Sequence, residues 1–150
     1  MDNFLYLVLK HLHSIMRWIL LVSLLITLVY SLIGISRRAR LSGSGIYTAR
    51  LTLAFAHLQL LVGLVLYLIS PKVIFEAASM QSPILRFFLV EHFLGMVIAV
   101  ALITAGYFSM KKRTITPSSS RIVFWFYLAA LFVMLLIIPW PFLQYGASWI

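Results

Sequence analysis

Four long apolar runs, separated by short polar interruptions, set the pattern of the chain. Residues 18–35 carry no charge and end at Ser36 and a group of arginines. Residues 51–69 end at Ser70-Pro71, and residues 87–110 follow Ser82-Pro83 and end at Lys111. Residues 122–138 end at Pro139-Trp140-Pro141. A helix rising about 1.5 Å per residue crosses about 30 Å of hydrocarbon in roughly 20 residues. Lipid offers no water to an open backbone, so each run must be helical. The pattern predicts an all-α integral membrane protein, an antiparallel four-helix transmembrane bundle, in a single domain covering residues 1–150. The expected spans are 15–36, 47–70, 84–110 and 121–139. Residues 3–14 complicate the first. If they continue its helix, that helix is about 50 Å long and its first turns project past the bilayer or bend along it. Asp2 and the lack of a small-residue cleavage site argue against a removable signal peptide.

Composition supports the membrane reading. Apolar types make up 63% of the 150 residues and charged types 10%, against roughly 45–50% and 25% in soluble domains. The net charge of +9 would suggest nucleic acid if the charges were spread, but they are not. Arg37, Arg38, Arg40 and Arg50 flank one interruption, and Lys111, Lys112, Arg113 and Arg121 flank another, so eight of the twelve basic residues sit at two loops. The positive-inside bias puts those loops in the cytoplasm, with both termini and the central loop outside. The expected surroundings are therefore the bilayer and its acidic headgroups, not nucleic acid. No cysteine is present, which excludes disulfides, iron–sulfur clusters and covalently attached c-type haem. Trp140, Tyr145 and Trp149 fit an aromatic belt at the outer face. Gly34, Gly63, Gly95 and Gly106 offer places for close helix approach.

Ionisable residues inside spans are costly and mark function by default. His13, Arg17, His57, Glu91 and His92 qualify, with Gln59 as a polar neighbour. His11 and His13 are two apart and point to opposite sides of a helix, whereas Arg17 is four past His13 and shares its face. Glu91 lies about 100° round the helix from His92, so its expected partner is Arg17. His92 has Gly95 and Met96 on its own side, an axial nitrogen beside room for a flat ring. Neutral imidazoles on facing helices are what a non-covalent b-type haem needs. The expected ligand is His92, with His13 or His57 opposite and Gln59 or a backbone carbonyl holding the second ring nitrogen. Counting helical rise puts His13 about 36 Å and His92 about 28 Å above the basic end, and His57 about 10–20 Å above it. Either pairing is open on that count. The plainer alternative is a set of neutral histidines hydrogen-bonded between helices, which fixes register.

The strings Leu12-His13-Ser14 with Arg17-Trp18, and His57-Leu58-Gln59 with Gly63, Tyr67 and Ser70-Pro71, form part of a wider pattern. Arg86-Phe87-Phe88 with Glu91-His92 and Met96, and Ile138-Pro139-Trp140-Pro141-Phe142, complete it. Together they resemble a family of small four-helix membrane proteins of Bacteroidota-type bacteria that are labelled cytochrome-b-like, over nearly the whole chain. Helix two also looks locally like helices of haem A synthases. The resemblance implies haem b and electron transfer within a respiratory or quinone-linked chain. Helix four has no histidine, which departs from the four-histidine pattern of two-haem cytochromes and leaves room for one haem at most. The competing expectation is a haem-free accessory subunit of a larger membrane complex, because such subunits are also short and apolar all round. No nucleophile–base motif is present, so no catalytic residue is assigned.

Overall fold

Apolar side chains at spacings of three and four decide how the helices face one another. The structure, a computed structural model, describes residues 3–143 and 145. Its four long helices are α1 (Asn3–Ser36), α2 (Gly43–Ile69), α3 (Pro83–Lys111) and α4 (Ser118–Ile137), all long and apolar enough to cross a membrane. Each runs antiparallel to the one before it. Among the described residues there is no strand. Helix α1 packs on α2 and α4, and α3 packs on α4 and α2. Helices α1 and α3 therefore occupy a diagonal of the bundle. The loops 37–42 and 112–117 lie at one end, here the basic end. The loop 70–82 lies at the other, the terminal end, where α1 begins and α4 stops.

The buried stripes follow helical periodicity. Leu20, Leu24, Thr27 and Ser31 line α1, Ala49, Thr52, Ala56 and Gln59 line α2, and Val123, Tyr127, Ala130 and Met134 line α4. Lipid tails are as apolar as leucine, so association depends on close packing and on hydrogen bonds between helices. Both are present. The Thr27 and Thr52 hydroxyls are 3.1 Å apart and Thr52 Oγ1 donates to Ser23 Oγ at 3.2 Å, tying α1 to α2. The Tyr127 hydroxyl donates to the Ala49 carbonyl at 3.0 Å, tying α4 to α2. The remaining surface is apolar: Val22, Val29, Leu61, Leu68, Phe132 and Leu136 are all more than half exposed. Such a surface suits lipid as solvent.

The basic end is closed. Helix α1 stops in a Schellman pattern, with Ala39 N donating to Gly34 O at 2.8 Å and Arg38 N to Ile35 O at 3.0 Å. Arg38 occupies the left-handed position at φ 50°, where glycine is the usual residue. Leu41 tucks under the bundle, its N–H donating to Ser119 Oγ at 3.0 Å, and Ser120 Oγ donates to Ala39 O at 3.0 Å.

Helix α1 is continuous from Asn3, so residues 3–14 extend it, and Tyr6 and Lys10 of its first turns share a cavity wall with Lys72 and Val73 of the 70–82 loop. Helix α3 is not regular. Residues Phe87–Glu91 form a π turn, and His92 N–H donates five residues back to Phe87 O. Such a turn inserts one extra residue and re-aims what lies on either side of it. The Tyr67 hydroxyl of α2 donates to Leu89 O within this turn at 2.8 Å. The sequence pattern carries no sign of it.

Candidate functional site

A cavity of about 180 Å³ lies at the terminal end, walled mainly by α1, α2 and α3, with Met134 and Ile138 from the α4 side. From α1 it takes Tyr6, Lys10, His13 and Arg17, at spacings of four, three and four. These residues form one continuous helical face. Gln59, Gly63 and Tyr67 of α2, and Phe88, His92 and Met96 of α3, complete the walls. A cavity of about 150 Å³ admits benzene, so this one has room for a group of about one ring.

Across it, the rings of His13 and His92 stand 6.4 Å apart, centre to centre, with their planes inclined at 71°. They come from α1 and α3, the two helices on the diagonal. His92 Nδ1 is 3.0 Å from Ile137 O. A carbonyl only accepts, so Nδ1 carries the proton and Nε2 keeps its lone pair, the arrangement typical of a ligating imidazole. His13 rests against Gly63: a Cβ on that glycine would lie 3.1 Å from His13 Cε1. Gln59 Nε2 donates to the His13 carbonyl at 2.9 Å. His13 Nδ1 and Gln59 Oε1 are buried and have no hydrogen-bond partner among the described residues. Native structures leave few buried polar atoms in that state.

Several expectations are corrected here. His57 does not join the site. It lies exposed on the outer surface of α2, its Nδ1 2.9 Å from Leu53 O of its own helix. The buried stripe runs through Ala56 and Gln59, and the intervening residues turn away from it. Glu91 does not pair with Arg17. It accepts from Arg86 Nε at 2.9 Å, because the π turn brings residues five apart onto one face. With the two side chains 46% and 42% exposed, that ion pair contributes at most about 1 kcal/mol. Arg17 instead lies on the cavity wall, its guanidinium 5.4 Å from the Trp18 ring centre. Gly95 leaves no ring space, since a Cβ there would meet Ile137 Cγ1 at 2.7 Å. Gln59 holds the His13 backbone, not an imidazole nitrogen. The counted depth gap of about 8 Å between His13 and His92 is absent: counting rise assumes level ends and equal tilts, which packing sets instead. Met96 lines the cavity as expected, and His11 is exposed. Tyr6, Lys10 and Lys72 escaped the sequence reading. The four–three–four spacing along α1 was the signal that could have found the first two.

Two imidazoles on opposite sides of one metal, each about 2 Å from it, have ring centres roughly 6 Å apart. The His13–His92 separation fits that distance. No group of three or more His, Cys, Asp or Glu side chains gathers among the described residues. Comparisons of the chain with protein-family models, with curated proteins and with solved structures find no match.

Proposed function

We propose that this protein holds one b-type haem between His13 and His92 and works as an electron-transfer protein or subunit linked to a respiratory or quinone chain. The observation that carries the reading is the imidazole pair, 6.4 Å apart across the diagonal of the bundle. When bound, the haem supplies one-electron chemistry at its iron. The chain does the rest. Ile137 O holds the His92 proton on Nδ1, and Gly63 leaves space for the His13 ring. Met96, Leu60 and Phe93 wall the cavity with apolar surface, which tunes the potential of a metal by excluding water.

The test is optical. Full-length protein purified from membranes is expected to show a sharp reduced-minus-oxidised haem b spectrum and about one haem per chain by extraction, since the cavity offers two imidazoles that would hold one iron. A colourless protein that takes up no added haem overturns the reading. Co-purification of such a protein with larger membrane subunits would favour the haem-free accessory role.

The proposed location is the bacterial inner membrane with both termini outside, on the strength of the basic loops at 37–42 and 112–117. Reporter fusions at Ser44 and Ile115 are expected to read cytoplasmic, and a fusion after Ile150 external. The reverse pattern would invert the orientation.

A further inference from the structure

The π turn at Phe87–Glu91 joins two halves of α3 that are fixed separately. Beyond the turn the helix is seated on α4: a Cβ at Gly95 would meet Ile137 Cγ1 at 2.7 Å, and Ala99 and Ile103 are fully buried. Before it, Phe87 is 3% exposed and its ring stacks on that of Tyr145 at 4.2 Å. The turn decides how these halves meet. In a regular α-helix, residues five apart lie about 140° round the axis from one another. Here they share a face, as the Arg86–Glu91 pair does. In the same register Phe87 reaches His92, with ring centres 5.9 Å apart, and Phe88 stands at 6.1 Å. A regular helix would leave only Phe88, four residues back, on that side.

An extra residue interrupts the backbone ladder of a helix, and lipid supplies no replacement donor. The Tyr67 hydroxyl of α2 donates to Leu89 O inside the turn at 2.8 Å. Other contacts place the Tyr67 ring, stacked on Phe93 at 4.5 Å and edge-on to Phe75 at 5.5 Å, so the hydroxyl can be removed without moving it. We propose that Tyr67 is a positioning residue for His92. Its hydroxyl holds α3 in the π register, and that register sets both Phe87 and Phe88 against the imidazole. Without this bond the turn relaxes to an α-helix. Residues 83–88 then rotate by about 100°, because the half beyond the turn is locked on α4. Tyr67 does this whatever ligand His92 takes.

The chain has no cysteine, so nitroxide labels on introduced cysteines can be paired in full-length protein in detergent and their separation read by pulsed electron paramagnetic resonance. Leu61 of α2, Ile84 before the turn and Leu94 beyond it are exposed and accept labels. In Tyr67→Phe the 61–84 distance is expected to shift, since the rotation moves a side chain at the helix surface by about 8 Å. The 61–94 distance should stay native. Carbethoxylation of His92, measured by mass spectrometry against the exposed His11, should quicken about fivefold, as loss of one neutral hydrogen bond implies. Deletion of Val90 removes the extra residue and puts Phe87 four residues from His92. In that background Tyr67→Phe should show the native 61–84 distance and the native His92 rate. Unchanged distances in Tyr67→Phe overturn the proposal, as does a shift in both pairs, an unaltered His92 rate, or failure of the deletion to restore either readout. If Tyr67→Phe does not fold, the same substitution in the Val90-deleted chain decides. Native distances there support the proposal; failure to fold overturns it, because the hydroxyl then serves something other than the turn.

Discussion

If the proposed haem is bound, the His92→Ala protein is expected to emerge from the membrane folded but without it, while His57→Ala and His11→Ala keep the wild-type complement. His92 stands at the cavity with Nδ1 committed to Ile137 O, so under that proposal its removal would take away one of the two imidazoles that hold the iron. Loss of even an outer-shell partner of a metal ligand costs about 10–100-fold in affinity, and loss of the ligand itself should exceed that. His13→Ala should behave as His92→Ala does, because the two rings face each other at 6.4 Å. His57 lies exposed with Nδ1 2.9 Å from Leu53 O of its own helix, and His11 is exposed. Haem per polypeptide, measured on purified variants, decides the matter. Retention of haem by His92→Ala, or its loss from His57→Ala, would exclude the His13–His92 pair as the binding site.

Gly106→Val is expected to destabilise the bundle by about 1–3 kcal/mol, the usual cost of overpacking a tight core. A Cβ at Gly106 would lie 2.6 Å from Phe126 Cβ and 3.3 Å from Tyr127 Cε2. Phe126 Cβ is fixed to the α4 backbone, so no rotamer change relieves the clash and α3 must part from α4. Parting also strains the Tyr127–Ala49 hydrogen bond on the same level of the bundle. Gly43→Ala serves as the control. Nothing lies within 4 Å of a Cβ there, and a surface change of that kind usually stays within about 0.5 kcal/mol. Detergent-titrated unfolding followed by circular dichroism compares the two. Equal midpoints for Gly106→Val and the native chain would show that the α3–α4 contact is looser than described.

The number of helices and their order were legible in the apolar runs, because twenty residues without water leave the backbone a single solution. The weight of charge at two loops was equally plain. Which histidines meet was not. His57 and His13 read alike along the chain: each is a single imidazole on its own face of an apolar helix. Burial of Ala56 and Gln59 turns His57 outward, whereas the stripe of Tyr6, Lys10, His13 and Arg17 turns His13 inward. That choice depends on which face of each helix its neighbours cover, and helices apolar all round do not announce a face. The Arg17–Glu91 pairing failed for a related reason. A π turn adds one residue to α3 and hands Glu91 to Arg86, and such turns have no reliable local signature. Gly95 and Gly63 both read as gaps, yet only packing shows that Ile137 fills the first and His13 adjoins the second. The sequence by itself thus determined an all-α membrane bundle with a basic end, since solvent and period fix those locally. Tertiary structure alone decided the site, because rotation, tilt and depth are settled by contacts between helices distant in the chain.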